Sequence, residues 1–166
     1  MSRLNLMLVM LIFVPNFMFS QEVKDFTIVK TATNDVKVPG NWEQLNTADD
    51  SGQTYLKSSD GVIIAIAQNQ KRAYPCFNSK KSDFENVKLF YIWDSDYRKE
   101  NKFATDKVKE NAKLEFVIWK YNDGKLDNVF LFGSVKDNFL NLLVYTDKWS
   151  EAEKVTFLEN LYKINK

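Results

Sequence analysis

Between Lys113 and Thr146 the chain repeats one pattern of apolar runs and polar breaks. "KLEFVIWKY" (Lys113–Tyr121) ends at Asn122-Asp123-Gly124. "LDNVFLFGSV" (Leu126–Val135) ends at Lys136-Asp137-Asn138, and "FLNLLVYT" (Phe139–Thr146) closes the series. Strand-like runs separated by short polar turns predict an antiparallel meander. The same signals occur earlier. "DFTIVKT" (Asp25–Thr31) alternates and is β-branched. Val36 and Val38 alternate, Pro39-Gly40 turns the chain, and Trp42 returns as an expected core anchor. Tyr55-Leu56 and Val62–Ala67 flank Ser59-Asp60-Gly61, which predicts a hairpin. "KFATDKVKE" is a weaker strand, and Gln70–Lys81 reads as a loop.

At two places the spacing turns helical. Ser150 and Glu153 stand three apart, as the partners of a capping box do, and Val155, Leu158, Leu161 and Tyr162 share one face. This predicts a helix from Glu151 to about Lys163. It should lie across the sheet, because its stripe needs an apolar partner. Ser82 and Glu85 repeat the box, and a charged continuation to Asn101 supports a second helix. "LFYIW" (Leu89–Trp93) complicates it, since five successive apolar residues wrap around a helix. Either that helix is covered on more than one side or the run is a buried strand; the cap favours the helix.

The first apolar run has another character. Leu4 to Val14 is eleven residues with one polar member, Asn5. At about 1.5 Å per residue it spans roughly half of a bilayer core of about 30 Å. Arg3 and the chain amine precede it, and Ser20 and Gln21 follow its extension to Phe19. Positive head, short apolar middle and small exit residue predict a secretory signal over residues 1–20. Met18 is larger than the residue usual two before a cut at Ser20, which leaves the cleavage position open. An uncleaved anchor and a first core helix are the competing readings. The only Cys is Cys76, so a lipidated Cys at the cut is not expected. The expected location is exported, periplasmic or secreted.

Removing the first twenty of 166 residues leaves 146, residues 21–166, the size of one domain. No Pro- or Gly-rich linker or repeat divides it. Arg3 leaves with the signal, so the 23 basic side chains become 22, matched by 22 acidic ones. A neutral chain with only Arg72 and Arg98 remaining has no basic field for phosphates, which argues against nucleic acid. With a single Cys no internal disulfide can form, so stability must come from packing, for which the many Phe, Tyr and Trp are suited. The absence of His removes the usual base near neutral pH and most zinc or iron ligand sets. No cofactor or metal is expected.

Candidate chemistry is sparse. Asp94 and Asp96 in "WDSDY" are the tempting acid pair, but at i and i+2 on a helix their carboxylates diverge by about 200°. As a calcium loop the segment lacks a third ligand where Arg98 stands. Cys76 has no His to activate it and reads as a structural thiol. Leu89–Trp93 and Phe116–Tyr121 are read as core aromatics, with a ligand groove as the alternative. Asp49–Gly52 and Asn122–Gly124 are turn chemistry. No phosphate-loop, dinucleotide or nucleophile-elbow pattern occurs. No catalytic, cofactor-binding or metal-binding residue is assigned.

A strand leading into "VPGNW" (Val38–Trp42), then a hairpin, a central helix, a long meander and a final helix resembles the PsbP-like domains over roughly residues 24–164. That family includes exported bacterial members of unknown role. The resemblance implies an α+β fold, an α/β/α sandwich with an antiparallel sheet between helices. It also implies a docking or accessory role. The expectation is an exported, non-enzymatic, monomeric module for a protein or envelope partner, without a membrane span after signal removal. The alternatives are a carrier of a small apolar ligand in a helix–sheet groove and a carboxylate-dependent hydrolase.

Overall fold

A computed structural model describes residues 25–166. The expected signal at residues 1–20 lies outside them. Two strands open the described chain, β1 (Phe26–Lys30) and β2 (Asp35–Pro39), paired antiparallel as a small separate sheet. Then come β3 (Glu43–Thr47), β4 (Thr54–Lys57), β5 (Ile63–Gln70), a 3-10 turn (Lys71–Ala73) and helix α1 (Asp83–Glu100). β6 (Thr105–Asn111), β7 (Phe116–Asn122), β8 (Asp127–Val135), β9 (Asn138–Tyr145) and helix α2 (Glu151–Asn165) complete the chain. The large sheet has the order β3-β4-β5-β9-β8-β7-β6, antiparallel at every pairing. The fold is α+β, dominated by antiparallel sheet. Among the described residues no helix is long and apolar enough to cross a membrane.

Strand alternation sorts the core into two clusters. Ile66 pairs with Leu142, Leu142 with Leu131, and Leu131 with Ile118. This row packs with Leu158, Leu161 and Tyr162 of α2 and with Val29, Val36 and Val38 of the small sheet. The neighbouring row joins Leu143, Phe130 and Trp119, and it packs with Val87 and Phe90 of α1. Each such side chain removed from water contributes about 1.5–3 kcal/mol. Ring geometry adds to burial on the α1 row: Phe90 stacks on Phe132 at 4.1 Å and on Phe139 at 4.9 Å.

Both capping boxes form. The Ser82 and Ser150 hydroxyls accept from the backbone N–H of Glu85 and Glu153, whose carboxylates accept in return from the cap N–H groups. The five-residue apolar run of α1 cannot face one way, and it does not. Phe90 is buried, Tyr91 touches Trp119, and Ile92 and Trp93 stay 48% and 45% exposed. The segment read as a loop from Gln70 begins as the last residue of β5 and continues through the 3-10 turn. Trp42 is partly buried against the α2 cluster, its indole N–H donating to the Pro39 carbonyl.

The one interior-strand glycine marks a close approach. A Cβ on Gly133 would fall 2.2 Å from the Tyr162 ring. The ring therefore lies against bare backbone, and its hydroxyl sits 2.7 Å from the Ser134 carbonyl and 2.8 Å from that of Leu114. Asn165 fastens the other end of α2, exchanging hydrogen bonds with the backbone N–H and carbonyl of Lys37 at 2.8 and 2.9 Å. The sheet edges are guarded. β3 and β6 each carry a register irregularity, and the β6 edge is rich in Lys and Glu.

Candidate functional site

α1 packs chiefly on β7 and β8 and more lightly on β6. A cleft of about 750 Å³ opens beside it. The second half of α1 forms one wall, with Trp93, Asp94, Tyr97 and Arg98. The β3–β4 turn, Asp49 to Gln53, forms the opposite wall, and Phe130 and Asn141 lie between. The turn is held by backbone bonds from Ala48 to Gln53 and from Gly52 to Ala48, with Gly52 at φ 65°. Asn69 at the end of β5 ties the turn down. Its amide nitrogen donates to the Ser51 carbonyl at 3.1 Å and to the Tyr74 hydroxyl at 3.0 Å. Tyr74 stands edge-on to Trp93 at 6.1 Å, and Phe90 stacks behind Trp93 at 6.1 Å.

Trp93 and Tyr97 are one helical turn apart and therefore neighbours on the helix surface. They are 45% and 55% exposed. Asp94 and Arg98 share the same spacing, with a carboxylate–guanidinium contact of 3.4 Å. Burial pushes the Asp94 carboxyl up from its ordinary value, and Arg98 pulls it back down. The guanidinium lies over the ring of Tyr121 at 4.8 Å and that of Tyr97 at 5.4 Å. Two residues of the cleft carry a buried polar atom without a geometrically good hydrogen bond: Asn141 at Oδ1, and Arg98 at Nε, the atom that faces Asp94 Oδ1 at 3.4 Å.

The residues singled out from sequence separate. Asp94 faces the cleft, whereas Asp96 is exposed and pairs with Lys99 at 2.8 Å, so the two carboxylates do not converge. Cys76 is half-buried in the α1 cluster, where desolvation pushes its thiol up and away from thiolate reactivity. Phe116 to Trp119 are buried, while Phe90 and Trp93 of the other aromatic segment line the cleft. The turn at Asp49–Gly52, read only as a turn, is also a cleft wall. Asn69, Tyr74 and Asn141 went unnoticed from sequence. The single usable signal was the surplus of apolar residues in Leu89–Trp93, more than one helix face can bury. Among the described residues no three Cys, Asp or Glu side chains gather into a metal ligand set.

A second hollow of about 740 Å³ lies at the other end of the 3-10 turn, toward the start of α1. Its one buried charge is spent on structure. Lys71 is 5% exposed and its ammonium donates to the Asp83 carboxylate and the Lys136 carbonyl, which binds the turn to α1 and to the β8–β9 connection. No family model matches the chain, and no curated protein matches it.

Proposed function

We propose that the chain is an exported, non-enzymatic binding module that engages an envelope partner through the cleft beside α1. The observation that carries this is the pair Trp93 and Tyr97, exposed in the helical row beside the Asp94–Arg98 contact. Large rings left open to water beside an Arg are the residue types on which binding energy concentrates. The core does not lack for a place to bury rings, since Trp119 and six other aromatics among the described residues are sequestered at 3% exposure or less. The apolar leader supports export. The separation of the α1 and α2 clusters onto alternate strand rows supports the reading of an α/β/α sandwich, and with the element order it supports PsbP-like membership.

The competing readings fit the cleft less well. An apolar ligand would strip water from Asp49, Asp50, Asp94 and Arg98 without offering them partners, at a cost of several kcal/mol. An acid hydrolase needs two carboxyl groups flanking one bond, and Asp94 and Asp96 do not form such a pair, since Asp96 is exposed and bound to Lys99. The test is co-sedimentation of the purified protein with an envelope fraction. Wild type should be retained, and the Trp93→Ala/Tyr97→Ala double variant should be retained at least about tenfold more weakly. Equal retention of the two would reject the cleft as the binding site.

A further inference from the structure

We infer that the partner presents an extended stretch of polypeptide bearing Lys side chains, which the cleft beside α1 receives; this rests on the binding role given to the cleft above. The charges of the lining select it. They are three carboxylates, on Asp49, Asp50 and Asp94, against the single guanidinium of Arg98. Asp94 and Arg98 face each other, which leaves Asp49 and Asp50, both exposed on the turn. No lysine lines the cleft, although lysine supplies every basic side chain after residue 20 except Arg72 and Arg98. Turn aspartates usually spend their carboxylates on their own turn. Asp60 is bound by the Ser58 hydroxyl, and Asp123 accepts from the backbone N–H groups of Lys125 and Leu126. Asp49 and Asp50 do neither. Among the described residues their carboxylates enter no ion pair and accept no hydrogen bond. Their turn closes instead through backbone bonds, Ser51 and Asn69.

The aromatic wall selects the same occupant. Trp93 and Tyr97 leave their rings open to water on the side of α1 that faces the turn. The face of such a ring is negative and attracts a Lys ammonium, while the apolar stem of the lysine packs against it. The fold already uses this contact, since the Arg98 guanidinium lies over Tyr97 at 5.4 Å and over Tyr121 at 4.8 Å. A lysine entering between the walls therefore meets rings on one side and two unspent carboxylates on the other. An anionic segment would find only Arg98, already engaged by Asp94 and two rings, and would meet Asp49 and Asp50. An apolar segment would strip water from those two carboxylates without replacing it. The extent of the cleft favours a polypeptide over a small cation. Its lining runs from the β1–β2 turn at Ala32 and Thr33 to Tyr97 and Arg98 on α1. It includes the side-chain amides of Gln53 and Gln70, which donate and accept as peptide groups do.

The experiment is isothermal calorimetry on the purified protein, run beside the envelope co-sedimentation, with hexalysine, spermine and hexaglutamate as probes. The expected result is saturable binding of hexalysine that weakens as salt rises from about 0.02 M to about 0.5 M, weaker binding of spermine and none of hexaglutamate. Asp49→Asn/Asp50→Asn and Trp93→Ala should each weaken hexalysine about fivefold or more. The control Asp106→Asn/Glu110→Gln removes two exposed acids from β6, outside the cleft, and should leave the affinity within about twofold. Asp49 and Asp50 are exposed and unbonded, so their variant keeps the fold. Absence of hexalysine binding, binding of hexaglutamate, or equal weakening by the β6 control overturns the inference. Spermine bound as tightly as hexalysine overturns it in favour of a small cation. Envelope retention that survives Asp49→Asn/Asp50→Asn but not Trp93→Ala/Tyr97→Ala overturns the basic segment and leaves the binding role standing. Unaltered retention in every cleft variant overturns both.

Discussion

Gly133→Ala would add one carbon to the centre of β8, 2.2 Å from Cε2, 2.6 Å from Cζ and 2.9 Å from Cδ2 of Tyr162. Carbon atoms rest at about 3.5–4.0 Å, so the ring must retreat by more than about 1 Å. It has nowhere to go without loss. Its hydroxyl lies 2.7 Å from the Ser134 carbonyl and 2.8 Å from the Leu114 carbonyl, and the ring packs edge-on against Phe116 at 5.6 Å. Overpacking of this kind costs about 1–3 kcal/mol and a strained hydrogen bond about 1 kcal/mol more, for a total of about 2–4 kcal/mol. Urea unfolding followed by tryptophan fluorescence would read this as a midpoint lowered by about 1–2 M at unchanged slope. The double variant provides the sharper test. With Tyr162→Ala in place the clash is gone, and Gly133→Ala should then be neutral or stabilise by about 0.4–1 kcal/mol through the unfolded chain. A change under about 0.5 kcal/mol in the wild-type background, or simple additivity of the two substitutions, would refute the close approach of α2 to β8.

Ser150→Ala removes the cap of α2 and should cost about 1 kcal/mol, lowering Tm by about 3 °C in a calorimetric scan, with Ser82→Ala similar at α1. Asp94 is held above its ordinary carboxyl value, so the folded state keeps its proton more readily than the unfolded state. Its contribution to stability therefore falls as pH rises from the unfolded value of about 3.8 through the higher folded one. Asp94→Asn should accordingly gain stability relative to wild type between pH 4 and pH 7 in urea titrations, and a relative loss over that interval would reverse the sign. Cys76, desolvated beside α1, should react with a disulfide reagent more slowly than glutathione at pH 8 and reach the rate of a free thiol only on unfolding.

Much of the scaffold was legible because local physics dictates it. Ser82–Glu85 and Ser150–Glu153 are self-contained boxes, and the structure forms both. The turns at Asp60-Gly61 and Asp123-Gly124 need positive φ, which both glycines adopt. The divergence of Asp94 from Asp96 follows from helical geometry alone. What escaped depends on distant partners. β3 is exposed at all five residues, so it has no apolar alternation to reveal it, and only its pairing with β4 makes it a strand. Gly133 reads as a weak point in a strand until Tyr162, 29 positions later, comes to rest on it. The cleft gathers Ser51, Asn69, Trp93 and Asn141 from four separate elements, and no spacing along the chain announces their meeting. The apolar run from Leu4 to Val14, expected to be part of a signal, lies outside the described residues.

The account turns on where the partner binds. Amide and indole chemical shifts of isotope-labelled protein, recorded while a solubilised envelope extract is added, locate that contact directly. The prediction is that the largest changes fall on Ser51–Gln53, Asn69, the Trp93 indole, Tyr97, Arg98 and the Asn141 side-chain amide. Changes centred on Trp149 and the outer face of α2, or spectra that do not move at all, would contradict it.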